Sequence, residues 1–225
     1  MKSGRFLTVF GAVAMMGAGG PAVAQDQAGE PPAVAAPAVQ PAPKAETVRV
    51  TLTTGEGPIV LELEKERAPI TTANFLKYVD SKRFDGQNFY RALNIAENFG
   101  LIQAGVTKLK PGDKLPPPIA HEPTTQTGLS HQTGTVSMAR GAPGTARWDF
   151  FIVVGDMSSL DAQPDQPGDN LGFAAFGHVV EGMDVVMRIM GSPISPTLGE
   201  KDGMKGQMLE APVTILSARR ACIAP

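Results

Sequence analysis

Phe84-Asp85-Gly86-Gln87-Asn88-Phe89-Tyr90-Arg91, running on to Leu101-Ile102-Gln103-Ala104-Gly105, decides the fold when read with Gly134-Thr135-Val136-Ser137-Met138-Ala139-Arg140 and Phe150-Phe151-Ile152. Thr135 to Ala139 and Phe150 to Val154 are short apolar runs of core-strand type, and Asp80-Ser81 and Asp85-Gly86 are turn signals. Upstream, Val48, Val50 and Leu52 alternate with polar residues. Gly55-Glu56-Gly57-Pro58 turns the chain, and Ile59, Leu61 and Leu63 alternate again, predicting a β-hairpin with one buried face. Pro69 followed by Thr71-Thr72 opens a short helix, in which Ala73, Leu76 and Val79, or Phe75 and Val79, share a face. Downstream, Val185, Val186, Ile189 and Met190 predict a second short amphipathic helix, and Val213-Thr214-Ile215 a closing strand. Two helices among many short strands make a sandwich or a barrel, and periodicity does not separate these.

The rest of the chain bounds where such a domain works. Met1-Lys2-Ser3-Gly4-Arg5 is basic, Phe6 to Ala18 is apolar and uncharged, and Ala22-Val23-Ala24 supplies small residues at cleavage spacing. Residues 1–24 therefore read as a secretory signal peptide, the apolar run being short of the roughly 20 residues a membrane span needs. Residues 25–46, rich in Ala and Pro and almost without bulky side chains, cannot bury enough surface to offset their ordering entropy; they read as a disordered linker. Residues 47–220 remain as one domain and 221–225 as a tail. The expected location is across the inner membrane, in the periplasm. A formal net charge of −2 gives no sign of a nucleic-acid partner. Cys222 is the only cysteine, so no intramolecular disulfide forms.

Together the four motifs resemble the active-site framework of the cyclophilins, in order and approximate spacing, from about Val48 to Ser217. The resemblance implies a mainly β fold, a closed antiparallel eight-stranded β-barrel capped by two short helices. It also implies peptidyl-prolyl cis-trans isomerase activity. The substrates expected are proline-containing segments of unfolded or partly folded exported proteins, met by a monomer with no nucleic-acid partner, cofactor or metal. By the same match Arg91 is the catalytic arginine and Gln103 lies near the substrate carbonyl. Leu101 and Phe151 form the floor and wall of a proline pocket, and Leu160 closes another side. Ala139 and Arg140 sit where substrate backbone runs antiparallel to a short extended segment.

That chemistry requires little equipment. Resonance opposes rotation about the prolyl C–N bond with a barrier of roughly 18–20 kcal/mol. A guanidinium that donates to the prolyl nitrogen as it becomes pyramidal binds the twisted state better than either planar one, which is catalysis by differential binding. An always-charged fork of donors suits the task.

Several residues depart from the family pattern. Gly100 stands where a pocket phenylalanine is usual, with Phe99 one residue early; Asp149 replaces a glutamine and is free to hold Arg91 or Arg140. Ser159 replaces a tryptophan, the segment Ala162 to Leu171 is long, and Phe173 falls where a histidine or tyrosine often lines the pocket. These departures keep open an alternative, a catalytically weak peptide-binding module on the same fold. His121-Glu122-Pro123 is no helical zinc motif. The acidic run Asp161, Asp165, Asp169 and Asn170 lacks EF-hand spacing and reads as a solvated loop. A hydrolase is disfavoured, since no nucleophile shows a histidine partner in the sequence.

Overall fold

The computed structural model describes residues 45–109, 112, 114–201 and 203–221. The predicted signal peptide, nearly all of the linker, and Cys222 lie outside them.

Eight strands close on themselves. They are β1 (Thr47–Thr54), β2 (Gly57–Glu64), β3 (Gln87–Ala96), β4 (Phe99–Gly105), β5 (Thr135–Met138), β6 (Phe150–Val154), β7 (Ala174–Glu181) and β8 (Met208–Arg220). Around the barrel the order is β1-β2-β7-β5-β6-β4-β3-β8, with β8 pairing back onto β1, and every pair is antiparallel. The fold is the closed barrel that the resemblance implied.

The first hairpin shows how the alternation works. Val50 and Leu52 on β1, and Ile59, Leu61 and Leu63 on β2, are fully buried, in a register that pairs Leu52 with Ile59 and Val50 with Leu61. Gly57 carries the positive φ of the turn (126°), which a side chain would strain. The Thr54 hydroxyl ties the turn, accepting from Glu56 N and donating to Gly57 O at 2.7 Å.

Helix α1 (Pro69–Asp80) packs against β2, β7 and β8. It buries Thr72, Phe75, Leu76 and Val79, while Ala73, expected on the buried face, is exposed. Phe75 meets Phe84, Phe150 and Phe176 with ring centroids 4.9, 5.2 and 5.3 Å apart, an aromatic plug in the barrel core. Its first residue is proline, and Ala68 before it offers no capping side chain. The cap comes from elsewhere in the chain. The buried Glu122 carboxylate accepts from Ile70 N at 3.1 Å, Thr71 N at 2.7 Å and the Thr71 hydroxyl at 2.6 Å, placing negative charge at the positive end of the helix. After a single helical turn α2 (Thr124–Thr127), helix α3 (Met183–Met190) buries Val185, Val186, Ile189 and Met190 against β2, β3 and β4, as the periodicity predicts.

Candidate active site

A β-bulge sets the site up. Phe89 and Ala92 on β3 both face the core, so two residues, Tyr90 and Arg91, lie between them on the outer face. The register against both β4 and β8 shifts between Phe89 and Arg91. Strict alternation would send Arg91 inward with Phe89. The extra residue re-aims it outward, a use to which bulges are often put beside active sites.

Arg91 then stands in a lateral row of outward-facing residues. It pairs with Gln103 on β4, Gln103 with Phe151 on β6, and Phe151 with Ser137 on β5. Beneath this row lies a small apolar cluster separate from the barrel core, formed by Leu101, Phe151, Val153 and Met157 with Leu93, Phe99, Leu160 and Phe173 against it. Above it opens a cleft of about 530 Å³.

Arg91, Gln103, Leu101, Ala139, Arg140, Phe151, Leu160 and Phe173 line that cleft. Two other expected residues do not. Phe99 supports the wall from behind, lying so close to Gly155 that a Cβ there would come within 2.5 Å of its ring. Asp149 lines an adjoining compartment. It bonds to neither Arg91 nor Arg140; its Oδ1 accepts from the Tyr90 hydroxyl at 3.4 Å, which corrects the pairing read from sequence. Leu93, Gly141, Met157 and Met204 complete the cleft and were not anticipated.

The guanidinium is held from two sides. Nη1 donates to Gln103 Oε1 at 2.7 Å, while Nε and Nη2 donate to Gln207 Oε1 at 2.8 and 2.5 Å. Gln207 lies just before β8, far from the motifs in sequence, and only its amide type could have hinted at such a role. Three of the five guanidinium donors are thus engaged, and the other two have no partner among the described residues. Burial lowers the Arg91 pKa, though an arginine stays charged. Gln103 Nε2 in turn donates to the Tyr90 hydroxyl at 2.6 Å, fixing the amide so that its oxygen faces Arg91. Burial, then the nearby Asp149, pushes the Tyr90 phenol upward, so it remains a neutral donor.

Arg140 is placed unexpectedly. Its side chain is 4% exposed and forms a two-oxygen pair with Asp169 at 2.7 and 2.9 Å. It also donates to Gly172 O from Nε and Nη2, and its Cζ lies 4.9 Å from the Phe173 ring centroid. Phe173 meets Phe151 edge-on at 5.5 Å. Arg140 therefore ties the long segment between β6 and β7 to the cleft wall, so Asp169 is not the freely solvated residue the sequence suggested.

Behind Phe151 runs an Asp–His–Ser chain. Asp161 Oδ1 lies 2.5 Å from His131 Nδ1, His131 Nε2 lies 2.9 Å from Ser137 Oγ, and the imidazole stacks on Phe151 at 6.0 Å. Ser137 does have a histidine partner, contrary to the sequence reading. His131 and Ser137 are both wholly buried, so no substrate reaches the hydroxyl. Burial lowers the His131 pKa, partly opposed by Asp161, so the imidazole is a structural strut under the cleft wall.

Gly100 also gains a reason. A side chain there would place Cβ 1.9 Å from the Leu93 carbonyl oxygen, where β3 bulges a second time between Asn94 and Ala96. The aromatic wall residue of the family pattern cannot occupy this backbone.

The model of cyclophilin-type peptidyl-prolyl cis-trans isomerases matches residues 49–219. This chain belongs to that family. Peptidyl-prolyl cis-trans isomerase cyp18 of Streptomyces antibioticus is 38% identical over 154 residues, covering 68% of this chain and 89% of the relative. The peptidyl-prolyl cis-trans isomerase of Acinetobacter baylyi is 35% identical over 172 residues (76% and 84%), and isomerase B of Escherichia coli 34% identical over 173 residues (74% and 98%). In structure, a cyclophilin-type isomerase of Cryptosporidium parvum superposes with a TM-score of 0.61 at 20% identity, over 80% of this chain and 100% of that one, a likeness of fold. The cyclophilin fold here is thus joined to a family whose members are peptidyl-prolyl isomerases acting on proline-containing peptides.

Proposed function

We propose that this cyclophilin turns X-Pro bonds through Arg91 and that its substrates are unfolded or partly folded segments of exported proteins. The observation that carries the mechanism is a guanidinium held by Gln103 and Gln207 at the wall of a cleft whose apolar side is Leu101 and Phe151. A proline ring seated on that apolar side brings its nitrogen to the arginine. As the C–N bond twists, the nitrogen lone pair leaves resonance and becomes an acceptor, and an Arg91 N–H left free by the two glutamines donates to it. Gln103, fixed by Tyr90, holds the arginine and supplies polar contact for the peptide carbonyl. Ala139 and Arg140 offer backbone along which the peptide runs, and Leu160 and Phe173 close the far side of the ring. The reaction moves no proton between protein and substrate and forms no covalent bond to it.

Export is supported by the basic start, apolar run and small-residue site of residues 1–24, and a bacterial source by the relatives cited above; in a cell with two membranes the exported chain would work in the periplasm. Slow prolyl isomerisation limits folding in any compartment, so such an enzyme has work wherever chains arrive unfolded.

Exchange NMR on a short Ala-Pro peptide tests the mechanism. Arg91→Ala should lower kcat/KM about a hundredfold or more, the loss expected when one preorganised donor is removed, with an unchanged far-ultraviolet spectrum. Near-parent exchange in that variant would overturn the assignment. Peptide binding without accelerated exchange in the parent would instead leave a recognition module.

A further inference from the structure

The prolyl cleft has a neighbour. A second compartment of about 290 Å³ shares Gln103, Ala139, Gly141 and the Asp169-paired Arg140 with it and adds Trp148, Arg147 and Asp149. We propose that this compartment is a subsite for a cationic side chain, lysine or arginine, of the same peptide whose proline occupies the cleft, with Asp149 as its counter-ion. The inference rests on the isomerase reading and adds a substrate preference to it.

The argument begins with what the carboxylate lacks. Asp149 Oδ1 lies over Gly105, so close that a Cβ at that glycine would come within 1.6 Å of it, and accepts one long hydrogen bond from Tyr90. Tyr90 has a single proton and already accepts from Gln103, so that proton is the only one the site itself directs at Asp149. Oδ2 has no hydrogen-bond partner among the described residues. Among the described residues no buried side-chain nitrogen or oxygen lacks one, so Oδ2 is open to the compartment.

Three arginines stand near, and none pairs with it. Arg91 is held by Gln103 and Gln207, and Arg140 by Asp169 and Gly172 O. Arg147 is turned to the carbonyls of Pro116 and Thr145, at 2.9 and 3.2 Å. Burial accordingly raises the Asp149 carboxyl to about 6, only partly offset by Tyr90 and with no cation pulling it back. Near neutral pH the site therefore holds an ionised, half-buried carboxylate without a counter-ion, an unfavourable arrangement that a ligand cation relieves. The largely buried Trp148 provides apolar surface for the methylene stem of lysine or arginine, whose charged head can then reach Oδ2.

The test uses the full chain and a set of Ala-Pro peptides in which lysine, norleucine, glutamine or glutamate is placed in turn at each of the positions flanking the proline. Exchange NMR gives kcat/KM and the peptide shifts give Kd. At one position lysine should exceed norleucine by about tenfold near pH 7.5, the low end for a charge-assisted hydrogen bond. That ratio should fall toward one below about pH 5, as Asp149 takes up its proton, and in Asp149→Asn, with the norleucine peptide as reference for each protein. A ratio near one at every position, a ratio that survives Asp149→Asn, or glutamine matching lysine would overturn the subsite. Glutamate exceeding lysine would overturn it too and assign the compartment to Arg147. Should no peptide show accelerated exchange, the isomerase reading fails, while the lysine-to-norleucine Kd ratio still decides the subsite.

Discussion

Replacing Gln207 by methionine keeps the length and bulk of the side chain and removes its acceptor. Two of the three hydrogen bonds that orient the Arg91 guanidinium, from Nε and Nη2, disappear, leaving only the one to Gln103. A hydrogen bond to a charged group is worth about 1.5–3 kcal/mol when buried. Arg91 is half-buried, so water replaces part of what is lost, and the net effect on the transition state is about 1.4 kcal/mol, or roughly tenfold in rate. The loss should fall on kcat and not on KM, because Gln207 does not line the cleft and the apolar contacts to proline are untouched. Exchange NMR over a range of peptide concentrations, with a denaturant titration as a folding control, separates the two. A kcat within twofold of the parent, or a loss carried wholly by KM, would show that Gln103 alone positions the arginine.

Asp169→Asn removes the carboxylate that pairs with Arg140 under the Phe173 ring; we expect KM to rise about threefold with kcat nearly unchanged, measured by the same exchange experiment. Glu122→Ala strips the first turn of α1 of its cap and should lower stability by about 2 kcal/mol in urea titrations, since Ala68 cannot substitute. Stability should also report on Asp149. Its folded pKa of about 6 lies above its ordinary value, so the folded state binds more protons between the two and the site loses stability as pH rises through that window. Asp149→Asn should therefore gain about 2 kcal/mol relative to the parent on going from about pH 4 to about pH 8; a pH-independent difference in denaturation midpoint would contradict the shift.

The legible parts of this chain are those in which neighbours in sequence are also neighbours in space. Val50, Leu52, Ile59 and Leu61 announce their hairpin because a single tight turn sets their register. Val185 to Met190 announce α3 because one face meets the barrel. Arg91, Gln103, Phe151 and Leu160 were placed in the cleft by resemblance, not by periodicity, and alternation alone would have sent Arg91 into the core. The bulge at Tyr90 that prevents this exists only against the pairings of β3 with β4 and β8. Gln207 and Met204 reach the site through a connection carrying no motif, and Glu122 caps a helix that precedes it by some fifty residues. Asp149 and Arg140 were visible as departures, but which carboxylate would claim which arginine depended on the path of the segment before β7.

Closure of the barrel has a consequence for the company this protein keeps. An open sheet exposes a row of unpaired amides and carbonyls at each edge, a template on which an unfolded chain can add itself as a further strand. Here β8 returns to β1, and no strand ends the sheet. The cleft opens instead beside Ala139 and Arg140, just beyond the end of β5. A peptide that enters the cleft thus meets a barrel whose closure leaves it no edge strand to extend.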